Sequence, residues 1–296
     1  MHALLALSVA MVAWGASGVV AKDVDMEGMA LAAYRTSVGA VVLVVALYVT
    51  GGRLTWAKVR TATPGGVFLG LDLVLFFSAV KLTTVANATV IGALQPALVI
   101  LISGPLLHEK VAKGAATWAV VGLGGTLLVI FGAAGLPEWS AGGDVLAVLC
   151  LLAWTAYFIA TRLARGQMSA LEYSTVTALV ASAVAWPAAL LFGQDVSWPT
   201  WESWGWILAL ALIAGIGGHF LMSVSIPYLP LWASSTMTLS IPVISTAGAA
   251  LFLDEDVAPL QVVGMGVVLV ALAFAIRVSS VPAAEPIPAG EVPSPA

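Results

Sequence analysis

The stretch ANATVIGALQPALVILISGPLLHE, residues 86–109, is echoed by WASSTMTLSIPVISTAGAALFLDE, residues 232–255. Each is an apolar helical run broken by a central proline and closed by a glutamate, and one offset of 146 residues separates Pro96 from Pro242 and Glu109 from Glu255. A register held from helix centre to polar end marks a duplicated membrane bundle. Two repeats facing each other across a bilayer are the usual build of a secondary transporter, with the substrate site at their seam.

Composition sets the class around that duplication. Of 296 residues, 61% are hydrophobic and 9% charged, with a mean hydropathy of +1.05; soluble domains do not look like this. A spanning helix needs about 20 apolar residues. Ten such segments follow one another, at 3–21, 29–49, 64–81, 84–107, 114–133, 143–163, 170–192, 204–224, 229–252 and 258–277. Their apolar runs are continuous and lack the period-two alternation of lipid-facing strands, so helices are expected rather than a barrel. The first run has no positive n-region and passes directly into a second span, and it reads as a retained helix rather than a cleaved signal.

Charge gives the orientation. With a cytoplasmic N-terminus, the inside loops and tail collect Arg53, Lys58, Arg60, Lys110, Lys113, Arg162, Arg165 and Arg277, against Lys22 and Lys81 outside. Both termini are then cytoplasmic, in a multi-pass protein of the cell membrane, most simply a bacterial inner membrane. The net charge of −4 supplies no basic surface for nucleic acid. The lone Cys150 allows neither an intrachain disulfide nor a multi-cysteine metal site, and reads as a small buried hydrophobe. The last stretch, VPAAEPIPAGEVPSPA, is proline-rich and is expected to be disordered.

The first helix of each half also matches. AWGASGVVAK, 13–22, pairs with AWTAYFIATR, 153–162, at an offset of 140, and the shift to 146 requires a six-residue insertion, most simply within 193–203. Each half holds five spans. Five is odd, so the second half enters from the opposite face and the repeats are inverted. The fold expected is therefore an all-α membrane protein of ten transmembrane helices, with repeats at 1–136 and 137–278 and a tail at 279–296.

Two strings carry a family resemblance. FFSAVKLTTVANATVIGALQPALVILISGPLLHEKVAKGAATWAVVGLGGTLLVIFG, 76–132, resembles the half-repeat of EamA-type transporters in the drug/metabolite transporter superfamily, and GHFLMSVSIPYLPLWASSTMTLSIPVISTAGAALFLDEDVAPLQVVGMGVVLVAL, 218–272, resembles its second copy. The shared elements are an aromatic-rich third helix, a small-residue helix with a central proline, a Gly-Glu-like corner and a glycine-rich last helix. His108-Glu109 and Asp254-Glu255 stand here in place of Gly-Glu. The resemblance implies a ten-helix secondary transporter, often an exporter of amino acids or other small metabolites, with a cavity lined by both halves. It implies no particular substrate.

No residue pattern supports an enzyme. Gly-Lys dipeptides, H-E-x-x-H and G-x-S-x-G are all absent, and neither a cofactor nor a metal is expected. Charges within spans are the sharpest pointers, because a centred Asp or Arg costs roughly 2.5–3.5 kcal/mol on insertion scales. Asp72 and His219 lie midway along the third and eighth spans, one residue off the repeat register. They are candidates for proton coupling or for a charged substrate group, and a hydrogen-bonded packing role, with Asp72 against Arg35, is the alternative. Arg35, near the outer end of its span, reads as an anchor or a mouth-lining charge.

Trp14, Trp154 and Tyr157 are candidates for an aromatic cavity wall, since the resemblance puts the first helix of each repeat beside the cavity. Trp198, Trp201, Trp204 and Trp206 read as interface residues. Asn87, Gln95, Ser234 and Thr238 suit a polar cavity or interhelical bonds. Pro96 and Pro242 each leave a carbonyl without its helical N–H, at Gly92 and Thr238, and are candidates for gating. The glycines at 122, 124, 125, 264 and 266 allow close helix approach, in the scaffold or in a homodimer. Glu109, beside Lys110 and Lys113, and Glu255 read as corner residues. A passive facilitator and a non-transporting membrane sensor or structural protein remain open beside the transporter of a small-molecule substrate.

Overall fold

A computed structural model describes residues 2–21, 24–83, 85–134, 140–252 and 255–279. The expectations for Lys22, Asp23, Asp254 and the tail beyond 279 lie outside the described residues. Helices account for the architecture, and no strand occurs among the described residues. The first half comprises α1 (His2–Ala21), α2 (Gly28–Val49), α3 (Trp56–Leu82), α4 (Val85–Gly92), α5 (Gln95–Leu107) and α6 (Ala115–Ala134). The second comprises α7 (Ala141–Arg165), α8 (Ala170–Leu191), α9 (Trp201–Leu210), a π-helix (Ala211–Phe220), α10 (Leu221–Ser225), α11 (Leu231–Met237), α12 (Ser240–Phe252) and α13 (Pro259–Ser279). Nine segments among the described residues are long and apolar enough to cross a membrane, and a shorter apolar stretch, His2–Ser17, belongs to α1.

Each half thus has five spans, and the two proline-bearing ones are each built from two short helices. Their breaks fall at matching positions, Ala93–Leu94 between α4 and α5 and Thr238–Leu239 between α11 and α12. Proline is the cause: Pro96 lies in the first turn of α5 and Pro242 in that of α12, where a missing N–H is tolerated. The Thr238 carbonyl is nevertheless not left open, because the break tightens and Ile241 N–H donates to it at 3.0 Å.

Packing between spans maps onto itself when the halves are exchanged. α3 packs on α7 as the eighth span packs on α1, while α2 with α8, and α6 with α13, pair across the pseudo-twofold axis. One departure matters. α3 lies flush against α8, its Gly65, Gly66 and Gly70 admitting Tyr173, Val180 and Val184, whereas the eighth span touches α2 only loosely. The eighth span carries the π-helix, a wider turn that sequence periodicity does not announce.

Local chemistry fixes the helix ends. Ser169 and Glu172 form a capping box at the start of α8, and Lys58 reaches Glu172 at 2.5 Å. α3 starts at Trp56, eight residues before the apolar run at 64, where the Thr55 side chain caps it by accepting from Lys58 N–H at 3.4 Å. Thr200 caps α9, accepting from Ser203 N–H at 3.1 Å. α5 ends on a left-handed His108 (φ 54°), whose N–H returns to Gly104. The next residue closes the corner identically in both repeats, Glu109 N–H onto Ser103 and Glu255 N–H onto Ala249. A left-handed conformation suits glycine, which is the physical basis of the Gly-Glu form. His108→Gly is expected to raise stability by roughly 0.5–1 kcal/mol, read as a higher thermal midpoint in detergent.

The segment 192–200 has structural work to do. Gln194 Oε1 accepts from Met29 N–H (2.8 Å) and Ala30 N–H (3.0 Å), supplying the cap that Glu27 does not give α2. Glu27 instead accepts from Asp195 N–H at 2.8 Å, and Tyr34 donates to the Val196 carbonyl at 2.9 Å. Asp195 lies outside the spans, and Ser197 holds its carboxyl below the ordinary value by donating to it. Of the four interface tryptophans, Trp198 and Trp201 are exposed, while Trp204 turns inward onto Tyr34, ring centroids 5.7 Å apart. Large apolar side chains such as Val45, Leu101, Val120 and Leu251 stand exposed around the outside, the face a bilayer covers.

Candidate functional site

Where the eighth span falls away from α2, a cavity opens on the pseudo-twofold axis. α2, α3, α8 and the region from α9 into the π-helix line it. Its apolar wall is Leu43, Leu69, Leu73 and Leu210, and its polar groups are Arg35, Thr36, Ser174, Thr177 and His219. Both halves contribute residues to it.

Behind His219 stands an aromatic cluster drawn from the first helix of each repeat. Trp14 lies 5.1 Å from both Trp154 and His219, measured between ring centroids, and Tyr157 lies 5.7 Å from His219. Phe158 backs Trp154 at 5.0 Å. The rings meet edge to face, the geometry aromatic quadrupoles prefer. Close approach depends on Gly218, since a Cβ there would collide with the Trp14 indole. Four residues singled out from sequence, Trp14, Trp154, Tyr157 and His219, are therefore brought together by three different spans. His219 lines the cavity, and its Nδ1 is buried with no hydrogen-bond partner.

The other candidates lie elsewhere. Asp72 is on the α7 side of α3, where the Cys150 thiol donates to its Oδ1 at 3.1 Å. That corrects two expectations: Cys150 is a half-buried donor rather than a plain hydrophobe, and Arg35 is not ion-paired with Asp72, no pair within 4.0 Å linking them. Asn87 is fully buried at the end of the bundle opposite the α1 start, donating to Thr83 Oγ1 (3.1 Å) and, over a short distance, to Asp144. Its amide ties α4 to α7 and does not line the cavity. Ser234 is buried and bonds its own helix at Pro230. Gln95 and Thr238 meet across the axis, Thr238 Oγ1 donating to Gln95 Oε1 at 3.4 Å, so the two proline breaks touch. Thr126 of α6 donates to the Leu239 carbonyl in the second break, at 3.3 Å.

For two residues the structure decides what the sequence reading left open or misplaced. Of the two readings for Arg35, anchor or mouth-lining charge, the second fits its place among the residues that line the cavity. The signal was present, an arginine inside an apolar span. Glu109, in turn, pairs not with Lys110 or Lys113 but with Arg162 at 3.1 Å, and its second oxygen accepts from Leu231 N–H at 2.8 Å. The negative carboxylate thus sits on the N-terminus of α11, where the helix dipole favours it. Arg162 and Arg165 extend the link by donating to the Ile226 and Ser223 carbonyls, at 2.6 and 2.8 Å. Among the described residues, no cluster of His, Cys, Asp and Glu could hold a metal ion.

Known proteins resemble this chain in both sequence and fold. The EamA-like transporter family matches residues 1–131 and again 141–277. An aromatic amino acid exporter, YddG of Ancylobacter novellus, is 30% identical over 141 residues, about half of each chain (46% of this one, 48% of the relative). A pseudopaline exporter, CntI of Pseudomonas aeruginosa, is 27% identical over 191 residues (64% and 65%). An uncharacterised protein of Pseudomonas aeruginosa is 29% identical over 246 residues, 80% of each chain. A crystal structure aligns with a TM-score of 0.81 at 22% identity, covering 94% of this chain and 97% of that one, which establishes the shared fold. With two family matches spanning nearly all of its helices and a cavity at their seam, the chain belongs to the EamA-like transporter family, a family of membrane transporters and not of enzymes.

Proposed function

We propose that this protein is a secondary active transporter that exports a small amphipathic metabolite, an amino acid or a drug-like compound, by alternating access of its two inverted repeats. The observation that carries the reading is the convergence of Trp14, Trp154 and Tyr157 on His219 beside a cavity lined by both halves. The leucines on the cavity wall suit a ligand with an apolar body, and the polar groups beside them suit one with a polar head; the aromatic cluster lies behind His219 and does not itself line the cavity. Export as the direction is supported by the two relatives named as exporters, and cytoplasmic termini by the cation bias. Pro96 and Pro242 serve as bending points where the paired helix breaks touch, and Asp72 and His219 are the groups for proton coupling.

The test is efflux from proteoliposomes loaded with radiolabelled phenylalanine or leucine, with and without a pH gradient. Movement against the gradient, driven by protons, is expected, with Trp14→Ala and Trp154→Ala each slowing it roughly tenfold through loss of the ring contacts that position His219. Purely downhill flux would make the protein a facilitator. An unchanged rate and pH profile in both Asp72→Asn and His219→Gln would remove the proton step.

A further inference from the structure

Arg35 stands out by what surrounds it. A guanidinium offers five N–H donors in a planar fork, yet among the described residues no hydrogen bond and no ion pair engages it. Asp72 and His219 lie within its electrostatic range, but Asp72 is farther than 4.0 Å and already accepts from Cys150. The hydroxyls that share the cavity have their protons committed. Thr36 donates to the Ala32 carbonyl (2.7 Å), Thr177 to that of Ser174 (3.1 Å), and Ser174 pairs with Ser223 (3.1 Å). Unfilled hydrogen-bonding capacity at this cavity therefore belongs to Arg35 and to His219, whose buried Nδ1 has no partner.

An unpaired cation inside a membrane span is costly, and such charges face a ligand pathway or a partner. We infer that the cavity is an anion site: Arg35 takes the carboxylate of the carried molecule as a bidentate pair, and His219 contributes a second contact. Leu43, Leu69 and Leu73 receive the apolar remainder. The substrate class is thus an amphipathic carboxylate small enough for the cavity, and a cationic amine lacking that group is rejected by the Arg35 charge. The inference rests on the transport reading above, whose site it deepens.

The experiment is a titration of the purified protein in lipid nanodiscs, read by tryptophan fluorescence, since Trp14 and Trp154 stand beside His219. Three probes of one size are used: phenylacetate, its neutral amide phenylacetamide, and the cation phenethylamine. Phenylacetate is expected to bind at least about tenfold more tightly than either. Arg35→Gln is expected to erase the preference, and Arg35→Lys to keep part of it, with the charge but without the fork. Equal binding of all three, a preference for phenethylamine, or no saturation by phenylacetate at about 10 mM overturns the inference; so does a preference that survives in Arg35→Gln. The wild-type comparison stands even where a variant fails to fold. Efflux in proteoliposomes is scored separately: transport without anion preference refutes the anion site alone, and anion binding without any efflux refutes the transport reading.

Discussion

Arg162→Ala is expected to cost about 3–5 kcal/mol of stability near neutral pH, because it strands the half-hidden Glu109 carboxylate without its cation. Glu109 and Arg162 expose only 10% and 19% of their side chains. The substitution also removes the donor to the Ile226 carbonyl. Glu109 itself sets a pH dependence whose sign follows from its surroundings. Burial pushes its carboxyl above the ordinary value of 4.5, against the Leu231 N–H and Arg162, which pull it down. A carboxyl raised on folding binds its proton more tightly in the folded state. Its contribution is therefore fully favourable below about pH 4.5 and is lost as pH rises through the folded value.

Deleting Arg162 removes one of the two downward pulls, so the folded value climbs further and the loss moves toward neutral. Thermal midpoints should thus show a larger Arg162→Ala deficit at about pH 8 than at about pH 5. Glu109→Gln placed in the same variant should recover most of it, since the amide oxygen can still accept from Leu231. A deficit that is equal at both pH values and unrescued by Glu109→Gln would mean that the pair contributes nothing. This link joins the first repeat to the second.

The second large effect is expected at the seam of the last span of each repeat. α6 and α13 approach until backbone meets backbone: a Cβ on Gly264 would lie 2.6 Å from the Gly125 carbonyl oxygen and 2.7 Å from Val129 N. No rotamer change relieves a clash with main chain, so Gly264→Leu should force the helices apart, at about 3 kcal/mol or more. Gly266, two residues on, meets nothing within 4 Å. Gly266→Ala is therefore the control and should be neutral or slightly stabilising, as alanine is the better helix former by about 1 kcal/mol. Folded yield and thermal midpoint in detergent decide between them. Similar losses in both variants would show that the glycines matter for helix propensity or membrane insertion rather than for this contact.

Sequence by itself determined the class, the duplication and the proline breaks. Continuous apolar runs of about 20 residues permit only membrane helices, and proline has the same effect on a helix wherever it stands, so Pro96 and Pro242 announced their breaks. Deep aromatics at equivalent positions, Trp14 and Trp154, likewise pointed to the first helix of each half. What sequence left undetermined was which side chains share a space. Asn87 and Gln95 look alike in an apolar string, but one donates to a half-buried carboxylate at the bundle end and the other bridges the two helix breaks. Glu109 had two lysines beside it in the chain, yet it pairs with Arg162, 53 residues away in sequence, because helix packing rather than chain proximity sets its neighbours. Only the tertiary structure showed that α3 fits α8 closely while the eighth span, widened by the π-helix, stands off α2. That asymmetry between two otherwise matching repeats makes the cavity, and it leaves Arg35 facing open space instead of a counter-charge.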